Sequence, residues 1–96
     1  MIIAQARFEL KEPLSLAAAT EIFESTAPKY KGVPGLHRKI YLLSEDGGVV
    51  SALYFWENRA AAEAFYGPAW RDMVSSKYGV EPTLAYFEAP VVVENT

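Results

Sequence analysis

Residues 36 to 56 constrain the fold more than any other part of the chain: two runs of strand-forming residues, LHRKIYLLS and VVSALYFW, are joined by Glu45-Asp46-Gly47-Gly48. Glycine supplies the positive φ that a tight reversal needs, so the runs are expected to pair as an antiparallel hairpin over 36–44 and 49–56. A lone hairpin is not stable in water, so the remaining elements must cover this ribbon.

Before it, IIAQARFEL (Ile2 to Leu10) sets Ala4, Ala6, Phe8 and Leu10 against Ile3, Gln5, Arg7 and Glu9, the alternation of a half-buried strand. Ser15 is placed to cap a helix with Leu16, Ala19, Phe23 and Ala27 on one stripe, widened by Ile22. Pro28 disturbs or ends that helix, and Gly32, Pro34 and Gly35 turn the chain into the hairpin. Beyond the hairpin, Asn58 caps a second helical region with Ala61 and Phe65 inward. Gly67-Pro68 breaks and restarts it, Trp70, Met73, Val74 and Lys77 share a face, and Gly79 stops it. A last strand starts near Val80 and includes LAYFEA, with PVVVEN as an extended tail. The order β-α-β-β-α-β over residues 1–96 predicts one α+β domain of ferredoxin-like type, a four-stranded antiparallel sheet with its helices on one face.

Composition removes several kinds of function. The chain has 96 residues and a net charge of −3, which argues against a general phosphate or nucleic-acid surface. With one histidine and no cysteine it offers neither thiolate chemistry nor a zinc or iron ligand set, so no metal and no cofactor are expected. Gly47-Gly48 joins two strands, not a strand and a helix, so it is no phosphate cradle. No apolar run approaches membrane-spanning length and no secretory leader pattern is present, and the expected location is the cytoplasm.

Alternation assigns side chains to the two sheet faces. Leu36, Ile40, Leu42, Leu53 and Phe55 are predicted to meet the helices. The opposite face receives His37, Lys39, Tyr41 and Leu43 from the second strand, Val50, Ala52, Tyr54 and Trp56 from the third, Gln5 and Arg7 from the first, and Leu84, Tyr86 and Glu88 from the last. Such a face is too aromatic for open water and too polar for a dry core, and suits a cavity closed by a second copy of the chain. Each residue also has a plainer reading. His37 is then a solvated strand end, Lys39 an ion-pair partner of Glu88 or Glu9, and Tyr54 and Tyr86 cross-strand packing. Tyr30, Lys29 and Lys31 read as surface and Trp70 as core. Pro34 and Gly35 are expected to set the start of the second strand and hence which face each later side chain takes.

Phe8 followed by Pro13, PGLHRK (Pro34 to Lys39), ALYFWENRAAAEAF (Ala52 to Phe65), YGV (Tyr78 to Val80) and the closing FEAPVVVEN resemble the YdhR-like monooxygenases, a branch of the dimeric α/β-barrel superfamily that includes the antibiotic-biosynthesis monooxygenases. The resemblance implies a homodimeric barrel and oxidation of a small planar aromatic molecule by O2 without metal or flavin. That chemistry needs a base or cation inside an aromatic enclosure. His37, Lys39 and Tyr54 are the catalytic candidates, with Gln5, Arg7, Tyr41, Trp56 and Tyr86 around the substrate. The haem-degrading relatives' Asn, Trp and His set is not matched, since Gln5 stands where the Asn is expected and the second helix has no His. The alternatives are a non-catalytic ligand-binding or stress-associated barrel dimer, and an isomerase or decarboxylase with His37 as base.

Overall fold

The computed structural model describes residues 1–95, and Thr96, the last residue of the expected domain, lies outside the described residues. The elements are β1 (Ile2–Glu9), α1 (Leu16–Thr26), a 3-10 helical turn (Ala27–Tyr30), β2 (Leu36–Leu43), β3 (Val49–Trp56), α2 (Arg59–Phe65), α3 (Pro68–Tyr78) and β4 (Thr83–Glu88). The strands pair antiparallel in the order β2-β3-β1-β4, the ferredoxin-like arrangement. β4 starts later than Val80, because Gly79 ends α3 in the left-handed conformation and Pro82 has no N–H to offer the ladder.

The helix boundaries follow from local chemistry. Ser15 Oγ accepts the Ala18 N–H at 3.1 Å and Asn58 Oδ1 accepts that of Ala61 at 2.9 Å. Two features differ from expectation. Leu16 is 73 % exposed, so the buried stripe of α1 runs through Ala19, Phe23 and Thr26. Pro28 does not end the helical path but tightens it into the 3-10 turn, which buries Tyr30.

The sheet faces are the larger correction. Directly opposed residues of antiparallel strands share a face. Lys39 opposes Tyr54, Tyr54 opposes Ala4 and Ala4 opposes Tyr86; likewise Tyr41, Ala52, Ala6 and Leu84 form one row. This face meets the helices: Phe8 packs on Tyr78 of α3 with ring centroids 4.6 Å apart, and Tyr41 stacks on Phe23 of α1 at 4.7 Å. Lys39, Tyr41, Leu43, Val50, Ala52, Tyr54, Trp56, Leu84, Tyr86 and Glu88 therefore take the helix side, while Ile40, Leu42, Leu53 and Phe55 take the other, the reverse of the sequence reading. Gln5 and Arg7 lie on the open face, as expected.

A bulge explains part of the inversion. Leu36 opposes Trp56 but Arg38 opposes Phe55, leaving His37 unpaired between them. Leu36 thus faces inward as expected, and every residue after the bulge is displaced by one position. Gly35 does anchor the strand's start. It has φ +79°, its carbonyl accepts the Glu57 N–H at 2.8 Å, and an added Cβ would lie 2.6 Å from Ala61 Cβ.

Candidate functional site

Lys39 projects from the edge strand β2 into a ring of tyrosines. Its Nζ lies 3.4 Å from the ring centroid of Tyr30, 3.9 Å from that of Tyr41 and 4.8 Å from that of Tyr54. Each element contributes one wall: the 3-10 turn brings Tyr30, β2 brings Tyr41 two residues along its own face, and β3 brings Tyr54 directly opposite. Neither Glu88 nor Glu9 pairs with the ammonium, since Glu9 sits instead 3.8 Å from Arg7 on the open face. Burial without a counter-ion favours the neutral amine and lowers the Lys39 pKa to about 6. The π faces attract a cation but do not replace lost hydration.

The surrounding hydroxyls are held as proton donors. Burial pushes the phenols of Tyr54, Tyr66 and Tyr78 far above their ordinary range, and raises those of Tyr30 and Tyr41 as well. Tyr41 and Thr26 share a 2.8 Å hydrogen bond, whereas Tyr54 reaches Tyr30 only at 3.5 Å, long for O–H···O. The Trp70 indole N–H is close enough to favour the Tyr30 and Tyr54 phenolates slightly. It is nonetheless buried without a hydrogen-bond partner among the described residues. Lys39 is therefore the one group of this cluster poised to accept a proton near neutral pH.

Space is distributed unevenly around it. A groove of about 350 Å³ runs between the 3-10 turn and the start of β2, with Tyr30, Lys31, His37, Lys39 and Tyr41 among its lining residues. Deeper in, between Lys39, Tyr54, Ala52 and Val74, the void is only about 10 Å³, room for one water-sized molecule.

The structure brings Lys39, Tyr41 and Tyr54 together, places exposed His37 at the groove's outer edge, and disperses the rest. Trp56 is fully buried and donates its indole N–H to Tyr66 at 3.0 Å. Tyr86 lies beyond Tyr66, with the Arg59 guanidinium 4.2 Å over its ring. Gln5 and Arg7 are across the sheet, where Gln5 donates to Ser51 Oγ at 3.2 Å. Tyr30 is the residue sequence reasoning missed. A signal was present: Ala19, Phe23, Ala27 and Tyr30 continue one three-and-four spacing through Pro28. Among the described residues no cluster of three His, Asp or Glu could hold a metal, and no helix is long and apolar enough to cross a membrane.

No protein-family model matches this chain, and no curated protein does. Solved structures do. A monooxygenase from the gene ActVA-Orf6 of Streptomyces coelicolor, in complex with nanaomycin D, matches with a TM-score of 0.76 at 20 % identity, over 99 % of this chain and 92 % of that one. SnoaB, a cofactor-independent oxygenase from Streptomyces nogalater, matches at 0.70 and 18 %, over 98 % and 97 %. This chain has the antibiotic-biosynthesis monooxygenase fold. The same fold occurs in NE2512 of Nitrosomonas europaea, a protein of unknown function, at 0.70 and 15 % identity, over 99 % and 94 %.

Proposed function

We propose that the chain is a cofactor-independent monooxygenase that oxidises a small planar hydroxylated aromatic with O2. The observation that carries this reading is the caged Lys39, an amine lowered to about 6 on the wall of a groove large enough for a fused-ring molecule. Likeness of fold to SnoaB and to the ActVA-Orf6 monooxygenase supports it, as does the resemblance to the YdhR-like branch.

The chemistry needs only a base and a dry wall. An anthrone-type substrate in its enol form gives its hydroxyl proton to Lys39, and resonance places negative charge on the ring carbon that retains one C–H. O2 adds there as a peroxide, which takes the proton back from Lys39. The amine then removes the remaining C–H proton as the O–O bond breaks, and passes it to the departing hydroxide. One oxygen atom stays as a carbonyl and the other leaves in water. The Tyr30 hydroxyl, on the groove's lining and kept protonated by burial, is the donor for the developing oxyanion, with Tyr54 behind it as the donor to Tyr30.

The working assembly in this proposal is a homodimer closed across the open sheet face. Ile3, Ile40, Leu53 and Phe55 are only half-buried there, and Leu42 and Phe87 are exposed. Val91, Val92 and Val93 of the tail are also exposed, and could extend a partner's edge strand, β2 or β4. Deleting residues 90–96 is expected to weaken the dimer in sedimentation while leaving the helical signal unchanged.

A second reading, a non-catalytic ligand-binding dimer, is favoured by the 10 Å³ void, since the interlocked rings of Tyr54, Trp56 and Trp70 leave no room for a polycyclic molecule beneath the helices. Oxygen uptake with hydroxylated polycyclic aromatics in metal-free buffer decides between them. The monooxygenase reading expects uptake that Lys39→Met lowers by about 100-fold or more. Tight binding with no uptake would establish the second.

A further inference from the structure

The groove beside Lys39 runs against the charge of the chain as a whole. Acidic residues outnumber Lys and Arg by 12 to 9, yet the groove's lining includes Lys31, His37, Arg38 and Lys39 and no carboxylate. Arg38 turns its guanidinium to the opposite sheet face, 5.8 Å from the centre of the Phe55 ring, so the side chains left to act are Lys31 and His37 at the mouth and Lys39 on the wall. The ion pairs among the described residues, Arg7–Glu9, Arg59–Glu63 and Arg71–Glu81, all lie elsewhere. Lys39 is thus a largely buried amine whose charged form has three ring faces and no anion.

We propose that the groove binds an aromatic acid, whose carboxylate supplies the counter-ion that Lys39 lacks within the chain. The inference rests on the groove being the substrate site, and narrows the substrate class to aromatics bearing a carboxylate as well as a hydroxyl. A carboxylate at the groove wall removes the reason for Lys39 to be neutral, because an opposite charge nearby favours the ammonium. Binding then draws a proton from solvent. The sign follows from the free state: Lys39 titrates at about 6 when the groove is empty and higher when an anion fills it. Affinity for the acid is therefore greatest below pH 6 and falls about tenfold per pH unit above it, until the pKa of the complex is reached. Of the other groups near the groove, His37 at the mouth is the one that can also take up a proton on binding an anion, and Lys39→Met retains it, so loss of the uptake in that variant assigns the proton to Lys39. Tyr30, Tyr41, Tyr54 and Tyr78 are all raised by burial and stay neutral, while Lys77 of α3 and, at the mouth, Lys31 are further cations. A neutral phenol that passes its own proton to Lys39 takes none from solvent, which separates the two kinds of ligand.

The test is calorimetric binding of a hydroxynaphthoate and of the matching naphthol, without O2 so that no turnover occurs, in buffers of different ionisation heat at pH 7.5. The acid is expected to bind at least ~10-fold more tightly than the naphthol and to take up about one proton, with the naphthol taking up none. Lys39→Met, its fold checked by thermal melting, is expected to abolish both the preference and the uptake. Equal binding of acid and naphthol, or acid binding with no proton uptake by the unmodified protein, overturns the proposal. Because binding is read without O2, the outcomes separate: uptake of O2 with naphthols bound as well as acids defeats this inference alone, and acid binding with proton uptake but no O2 consumption defeats the monooxygenase reading alone.

Discussion

On the helix side of the sheet, Lys39 and all six tyrosines of the chain are packed among Trp56, Trp70, Phe23 and Phe65. On the other side, Gln5, Arg7 and Ser51 share a surface with Ile3, Leu42, Leu53, Phe55 and Phe87. Both faces mix apolar and polar groups, but the polar groups meet different fates. Gln5 donates to Ser51 Oγ, which in turn donates to the Ala6 carbonyl, and Arg7 is half exposed beside Glu9. Lys39, by contrast, has lost water without gaining an anion, and the Trp70 N–H has no acceptor among the described residues. A satisfied polar surface with apolar neighbours suits association, whereas unsatisfied groups beside a cavity suit chemistry.

The largest expected effect separates neighbours in sequence that lie on opposite faces. Trp56→Ala removes a fully buried ring and is expected to cost about 3–5 kcal/mol in denaturant unfolding of the monomer. Phe55→Ala is expected to cost less than half as much, because its ring is only partly covered. Equal costs would break the distinction between the faces.

Next in size is the pH dependence of stability. Unfolding raises Lys39 from about 6 to its ordinary 10.5, so the unfolded chain binds more protons than the folded one between those values. Stability therefore rises with pH, by up to ~1.4 kcal/mol per unit from this group. Above pH 10.0 the buried tyrosines reverse the trend, since their folded pKa values lie above the unfolded one and stability is lost as the unfolded phenols ionise. Urea unfolding from pH 6.5 to 9.5 should show the rise in the unmodified protein and its loss in Lys39→Met; the same slope in both would place the charge elsewhere.

On the open face, Leu53→Glu is expected to raise the dimer dissociation constant by about tenfold or more in sedimentation, with the Lys39 titration unchanged. A monomer in both proteins would remove association as that face's role. The smallest effect is at the bulge: His37→Ala, exposed and unpaired in the ladder, is expected to change stability by less than about 0.5 kcal/mol. A hundredfold fall in oxygen uptake in that variant would make His37 the base in place of Lys39.

Element order, the Asp46-Gly47 reversal and the Ser15 and Asn58 caps were legible because each depends on a few adjacent residues. The face assignment was legible only in β1, where Gln5, Arg7 and Glu9 alternate against Ala4, Ala6 and Phe8. In β3, Leu53 and Phe55 are as apolar as Tyr54 and Trp56, so alternation carries no direction. Ser51 was the usable signal, since opposing Arg7 beside Gln5 forces Ala52, Tyr54 and Trp56 to the other side. In β2 the bulge at His37 shifts the parity, and no local residue pattern announces it. Lys39, Tyr41 and Tyr54 were thus grouped together by sequence but sent to the wrong side, and Tyr30 was left out because Pro28 was read as a stop.

That Lys39 is a neutral amine enclosed on the helix side is tested by following its Nζ and Cε chemical shifts across pH in the ligand-free protein. Lys39 is expected to titrate with a midpoint near 6. A midpoint near the ordinary 10.5 would contradict it.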